Sequence, residues 1–338
     1  MVTALTDGQN ANVAKSPTRI AIYIALSTLV IVIPTFAMTA IGYQTAGATV
    51  SLSTVGIGMA SAFAGIRLGA WASLATAALS FCAMLAAGSW LWSSLVMIAV
   101  SLSYAITARW GWRSALILLP IALGFVVADP PVYDGSRWVA ALLIAAGTAL
   151  FGLLAVGFNA VSIRPRPTPT ATVLSPSRTW SFAVMLTVVT TITTLWAVIG
   201  ELGHTGGWLI MTPFIVILPY VQDAWVKSGK RIGGTLIGVA VAYLVGLVIP
   251  WQPVLYLIVI VLASLAFIAK AKQWDYIYWV ALLTPTIVIL EGTSTSVDQT
   301  AISRLLATLG GVALSLIAIA LAAPLYRRRA RELDLDRY

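Results

Sequence analysis

The stretch SGKRIGGTLIGVAVAYLVG, residues 228–246, sets two cations, Lys230 and Arg231, directly ahead of Gly233, Gly234, Thr235 and Gly238. Two kinds of chemistry fit that spacing. A guanidinium binds a carboxylate through two parallel hydrogen bonds, and the free N–H groups of a first helical turn add the positive end of a dipole. Gly233, Gly234 and Thr235 are expected to form such a turn beside Arg231, facing the cytoplasm. Small residues also let two helix backbones approach closely in lipid, where van der Waals packing stands in for the hydrophobic drive. On that reading the glycines are a packing face, and Lys227, Lys230 and Arg231 are an orientation signal. The two readings can coexist.

Residues that could move protons are few. His204, the single histidine, lies with Glu201 in GELGHTGG. Its ordinary pKa of about 6.5 suits a proton switch, and a solvated loop residue is the plainer alternative. Asp223 is expected at the cytoplasmic end of an apolar run, where it serves proton coupling or forms a surface pair with Lys227. Asp129 and Glu291 each close a proline-containing apolar run and complete the set of proton-coupling candidates. Thr187, Thr190, Thr191, Thr193 and Thr194 line a polar path or bond back to their own helix carbonyls. One histidine and one cysteine, Cys82, build no familiar metal centre, and no H-E-x-x-H, nucleotide-binding or G-x-S-x-G pattern appears. The sequence therefore points away from an enzyme and calls for no metal and no cofactor.

These residues sit in a chain that is 60% hydrophobic and 9% charged, against roughly a quarter charged in soluble domains. It reads as an all-α integral membrane protein, because long apolar runs without alternation satisfy their backbone groups only as helices. A span needs roughly 20 apolar residues, so the 338 residues hold about twelve transmembrane helices. The expected spans are 20–40, 46–65, 69–88, 90–108, 112–128 and 137–157, then 181–199, 207–222, 233–249, 253–269, 276–290 and 301–323. They group into a first six-helix unit over 20–157 and a second over 181–324. A polar segment at 1–19 precedes them, a Pro/Ser/Thr-rich linker at 158–180 joins them, and a basic tail follows at 325–338. The first apolar run is of spanning length behind a polar start, so no cleavable signal peptide is expected.

Charge sorts by side. With a cytoplasmic N-terminus, 18 of the 20 Lys and Arg residues fall on the cytoplasmic face, leaving Arg137 and Arg304 outside. The net charge of +9 is thus topological, and no nucleic-acid partner is implied. Both termini are expected in the cytoplasm. Trp90, Trp92, Trp110, Trp112, Trp208, Trp225, Trp251 and Trp274 fall at span ends and read as interfacial anchors against membrane lipid.

The two units share an order of features. Arg67-Leu68-Gly69-Ala70 corresponds to Arg231-Ile232-Gly233-Gly234, Pro120 to Pro285, Asp129 to Glu291 and Arg137 to Arg304. Six spans per unit make the repeats parallel, related by an axis along the membrane normal, with a path between them.

The segment TPFIVILPYVQDAWVKSGKRIGGTLIGVAVA, 212–242, resembles the signature of the fusaric-acid-resistance and aromatic-acid-exporter family, in which a Pro or Gln-Pro span end precedes R-x-x-G-T-x-x-G. Arg231, Gly234, Thr235 and Gly238 fill that pattern here. YWVALLTPTIVILEG and SRLLATLGGVALSL add Thr284, Arg304, Thr308 and Gly311. The resemblance covers the second half, and the first half is a degenerate copy with Ala70 and Trp71 where Gly and Thr belong. It implies efflux of weak organic acids, above all aromatic carboxylates, driven by the proton gradient or the membrane potential. Arg231, Gly234, Thr235, Thr284, Arg304 and the first-half Arg67 are then the substrate-binding residues. It also implies a periplasmic adaptor as partner in Gram-negative bacteria. The large cytoplasmic domain of many members is replaced by the short linker. A passive organic-anion channel is the alternative, since six-span plant relatives of the fold conduct malate. A homodimer of whole chains is compatible with either.

Overall fold

The structure, a computed structural model, describes residues 33–131, 135–162, 173–249, 251–272, 274–292 and 297–332. Most of the expected first span, the cationic residues Lys15, Arg19, Arg164 and Arg166, and the last residues of the tail lie outside the described residues. So does the side chain of Glu291.

Thirteen α-helices and no strand occur among the described residues. In chain order they are α1 (Ile33–Ala40), α2 (Gln44–Ala64), α3 (Ile66–Ala86), α4 (Trp90–Ile106), α5 (Arg113–Leu116), α6 (Leu118–Ala128) and α7 (Arg137–Ser162). The second half supplies α8 (Pro176–Ile199), α9 (Gly203–Val216), α10 (Val221–Val248), α11 (Gln252–Ala271), α12 (Tyr276–Gly292) and α13 (Val297–Glu332).

Seven helical segments are long and apolar enough to cross a membrane: Ala46–Ala64, Ile66–Ala86, Trp90–Trp110, Arg137–Ser162, Pro176–Ile199, Asp223–Val248 and Thr300–Leu321. The chain is therefore a multi-pass membrane protein, and among the described residues fewer full-length spans occur than the twelve expected. Proline accounts for much of the difference. Pro120 has no N–H to offer the Leu116 carbonyl, and the fifth expected span divides there into α5 and α6. The eighth expected span, 207–222, shortens to the 14 residues of α9, which contains Pro213 and gives way at Ile217 to extended backbone. Arg113–Ala128, Pro253–Ala266 and Tyr276–Ile289 are shorter apolar helices.

Small residues set the helix approach throughout. A Cβ added at Gly152 of α7 would meet Ile57 of α2 at 2.6 Å, and Asn159 of α7 donates to the Gly58 carbonyl at 2.9 Å and to Ser61 Oγ at 2.6 Å. These contacts bind α7 to α2. Across the halves α8 lies against α4, and α9 against α6, so one apolar core runs from Met38 and Ile57 through Phe125 to Ile210 and Phe214. The helix α9, buried along most of its length, is the element through which the first half touches the site.

Candidate functional site

Four helices of the second half, α9, α10, α12 and α13, meet around two buried arginines. Glycines bring them together. A Cβ at Gly234 of α10 would stand 2.7 Å from Val280 Cβ and 3.0 Å from the Ile277 carbonyl oxygen of α12. One at Gly238 would lie 2.5 Å from Thr284 Cβ, and one at Gly311 of α13 would lie 2.5 Å from Thr212 Cβ of α9. Gly234, a predicted substrate contact, is thus placed in the α10–α12 packing face.

This close approach carries Arg231 and Arg304 into the protein, each 1% exposed. The Arg231 guanidinium directs Nη2 at the thioether sulfur of Met211, 3.9 Å away, and its Nε makes no hydrogen bond. The Tyr276 hydroxyl feels the charges of both Arg231 and Arg304, beside the first of them but without the alignment of a full hydrogen bond. The Arg304 guanidinium lies over the indole of Trp208, with Cζ 3.7 Å from the ring centroid. Thr235, Thr284 and Thr308 are buried, and their hydroxyls make no hydrogen bond, whereas Thr212 bonds back to the Trp208 carbonyl at 2.9 Å. Among the described residues no carboxylate pairs with Arg231. The lining offers donors to a negatively charged guest.

Three expectations change. Gly233, Gly234 and Thr235 do not start a helix: α10 begins at Val221, so their N–H groups bond to carbonyls four residues back and none is left for an anion. Arg67 is exposed at the second residue of α3 and takes no part in the cluster. Asp223, expected to end the eighth span, lies exposed in the first turn of α10, where its charge complements the helix dipole. Lys227, its expected partner, places its ammonium 5.1 Å from the centroid of the Tyr276 ring.

The proton-coupling candidates also separate. His204 at the start of α9 and Asp129 at the end of α6 come together, Nδ1 to Oδ2 at 2.9 Å, with side chains 44% and 45% exposed. Glu201 is exposed in the turn before α9, with φ of 50°. Among the described residues no group of three or more His, Cys, Asp or Glu side chains is placed to hold a metal ion.

Sequence reasoning missed Trp208, Met211 and Tyr276. Trp208 is 5% exposed and is no interfacial anchor. Its spacing of four from His204 and Thr212 was the available signal, since it puts all three on one face of α9. Just outside the cluster, Lys230 donates to Asp275, and this bond, helped by the Ile277 N–H, holds the Asp275 carboxyl below the usual carboxylate range.

The chain is thus an all-helical, multi-pass membrane protein whose second half buries cationic side chains beside unbonded hydroxyls. Residues 191–318 match the family described as fusaric acid resistance protein-like. The matched segment contains every residue of the arginine cluster. No curated protein and no solved structure matches the chain.

Proposed function

We propose that this protein exports organic acids, with aromatic carboxylates as the preferred substrates, and that Arg231 receives the carboxylate. One observation carries the reading: Arg231 is buried in a membrane-spanning helix with a thioether and a phenol for neighbours and, among the described residues, no anion. A buried charge without a partner is strongly unfavourable, and intramembrane cations mark ion and substrate paths. A carboxylate guest would supply the missing charge and accept from the guanidinium in bidentate fashion. Thr235, Thr284 and Arg304 would receive the same guest further along, while Trp208 and Tyr276 offer aromatic surface.

We read the chain as twelve spans in two parallel six-helix units in a bacterial inner membrane, both termini cytoplasmic, acting without enzymatic chemistry. A periplasmic adaptor protein and a second copy of the chain are the partners this reading admits. Outward movement of a singly charged anion from a negative-inside cell gains about 2.3 kcal/mol per 100 mV, so the potential can drive it. A passive channel is favoured over a proton-coupled carrier by one feature: Asp129, Glu201 and Asp223 are all exposed, away from the buried arginines.

The test is flux in proteoliposomes, with a panel of aromatic and aliphatic acids across imposed pH and voltage gradients. Flux of aromatic acids above that of empty vesicles is expected, reduced by Arg231→Gln. Absence of flux for every acid would remove the reading.

A further inference from the structure

One face of α9 carries His204, Trp208, Met211 and Thr212, and each meets a different neighbour. His204 pairs with Asp129 of α6, Trp208 supports Arg304 of α13, Met211 faces Arg231 of α10, and Thr212 abuts Gly311 of α13. The outer end is an aromatic stack. The Trp208 ring stands edge-on to Phe125 at 4.6 Å and to His204 at 5.6 Å, and the Phe125 ring lies 5.0 Å from the His204 ring. From the exposed Asp129 carboxylate to the buried Arg304 guanidinium there is thus a continuous series of contacts with two rings in it. The ends of α9 are set off from the neighbouring backbone. Glu201 and Gly203 have φ of 50° and 52° at its head, and Pro213 followed by extended backbone at Ile217 closes its foot.

We infer that Trp208 is a positioning residue for Arg304, through which the exposed His204–Asp129 pair closes the anion route to the face it occupies. This rests on the anion-transport reading above and adds its regulation. Both members of the pair reach water, so protons on that face reach them directly. Histidine is the side chain that takes up a proton in mild acid, and protonation turns a neutral hydrogen bond to Asp129 into an ion pair. The ion pair fastens the head of α9 to α6, which keeps Trp208 over Arg304 and leaves that guanidinium 1% exposed. Loss of the proton loosens the head of α9, and the indole can move aside to admit an anion. Among the described side chains, Asp129 on α6 pairs with His204, Glu201 stands exposed on the preceding turn, and Arg304 on α13 lies behind Trp208. Arg231 on α10 lies further down the same helix face. Asp129 is in hydrogen-bonding contact with His204, and its carboxylate favours the charged imidazole.

The experiment uses the full chain in proteoliposomes with the pair facing outward, loaded with benzoate at fixed luminal pH and corrected for empty vesicles. Lowering the outer pH from about 7.5 to about 5.5, one unit either side of the histidine value, should slow benzoate efflux about two- to fivefold, the range an ion pair of this exposure can carry. Asp129→Asn and His204→Gln should give efflux that no longer slows in acid. Trp208→Phe should keep part of the acid response, because a smaller ring still spans His204 and Arg304. Trp208→Leu should lose that response and raise the half-saturating benzoate concentration. Folded yield of each variant, from the monodisperse fraction in detergent, separates loss of response from loss of protein. Efflux in Asp129→Asn that follows the parent's pH profile overturns this inference and leaves the transport reading standing. A parent without benzoate flux overturns both.

Discussion

Arg67 and Arg231 open the same four-residue pattern in the two halves, and the structure gives them opposite environments. Gly69 lies against Ser61 and Val156; its counterpart Gly233 makes only ordinary contact with Ile277, and the close approach falls one residue on, at Gly234 against Val280 and Ile277, so a glycine beside the arginine packs a helix in both places. The arginines differ because their helices start at different points. Gly65, with φ of 99°, ends α2 immediately before α3, which leaves Arg67 in the first turn and exposed. In the second half Val221–Lys230 is already helical, so Arg231 is carried three turns inward and buried. The same contrast recurs at the next pair. Arg137 is the first residue of α7, exposed, and donates to the Ala87 carbonyl at 3.1 Å, whereas Arg304 lies two turns inside α13 beneath Trp208. A repeated motif thus preserves its packing component, while the position of the helix start decides whether its charge anchors a helix at the surface or enters the interior.

The largest effects should come from the packing component, and they should be alike in both halves. Gly238→Leu must push a branched side chain into Thr284 and Pro285, and Gly69→Leu must push one into the Ser61 backbone. Each is expected to destabilise by about 3 kcal/mol and to lower folded yield sharply. Gly157→Ala and Gly229→Ala, one in each half with open space around the new methyl, should gain about 0.5–1 kcal/mol from helix propensity. Thermal melts of the four variants in one detergent decide this. Normal stability in Gly238→Leu would break the packing account.

The second effect should divide the halves. Arg231→Gln is expected to raise the half-saturating acid concentration about tenfold, equivalent to about 1.4 kcal/mol, and Arg231→Lys to recover part of it because a point charge lacks the planar fork. Arg67→Gln should leave the half-saturating concentration unchanged. Concentration-dependent flux, normalised to inserted protein, is the measurement. Equal losses for Arg67→Gln and Arg231→Gln would mean that exposure of Arg67 does not describe the transporting form.

The sequence made the cationic and glycine residues of this comparison visible, and it failed where a helix start had to be located. The apolar pattern of 233–249 begins after Arg231, so periodicity placed the span's first turn at Gly233. Charged and small residues from Asp223 to Lys230 continue the helix because Ala224 and Ser228 face inward with Arg231, which only tertiary packing reveals. The helical character of the chain was readable from composition, and the motif singled out Arg231, Arg304, Thr235 and Thr284, but charge sorting set the two arginines on opposite faces and not together in the interior. Trp208 was not, since tryptophan near a glycine-rich span end is expected at the headgroups. The His204–Asp129 contact joins residues 75 positions apart, and no local pattern encodes it.

Hydroxyls give a third, smaller effect. Thr308 in α13 and Thr148 in α7 are both buried with unbonded hydroxyls. Replacing either with valine removes a buried polar atom and keeps the shape, so both variants should match the parent's stability or exceed it by up to about 1 kcal/mol. Only Thr308→Val should reduce acid flux, because only that hydroxyl lies one turn from a buried arginine. Reduced flux in Thr148→Val as well would extend the path into the first half and erase the distinction drawn above.

The smallest effect concerns how α12 is held beside Arg231. Lys230 and Asp275 each precede a residue of the cluster, Arg231 and Tyr276, and their side chains join α10 to the start of α12. The hydrogen bond from Lys230 lowers the Asp275 carboxyl's pKa in the folded protein, so the folded state favours the ionised form more than the unfolded chain does. The pair's contribution is therefore present above the ordinary aspartate value of about 3.9 and fades as pH falls through the lower folded value. Both side chains are largely solvated, and salt screens what remains. Asp275→Asn should lower the melting midpoint slightly at neutral pH and low salt, and the difference should vanish in acid strong enough to protonate Asp275 in the folded protein and at high salt. If the pair also fixes Tyr276 against Arg231, the variant should show a small rise in half-saturating acid concentration that follows the same salt dependence. A rise that persists in high salt would mean that Tyr276 is placed by the packing of Gly234 on Val280 instead, and that the arginine site owes its geometry to the glycine step the two halves share.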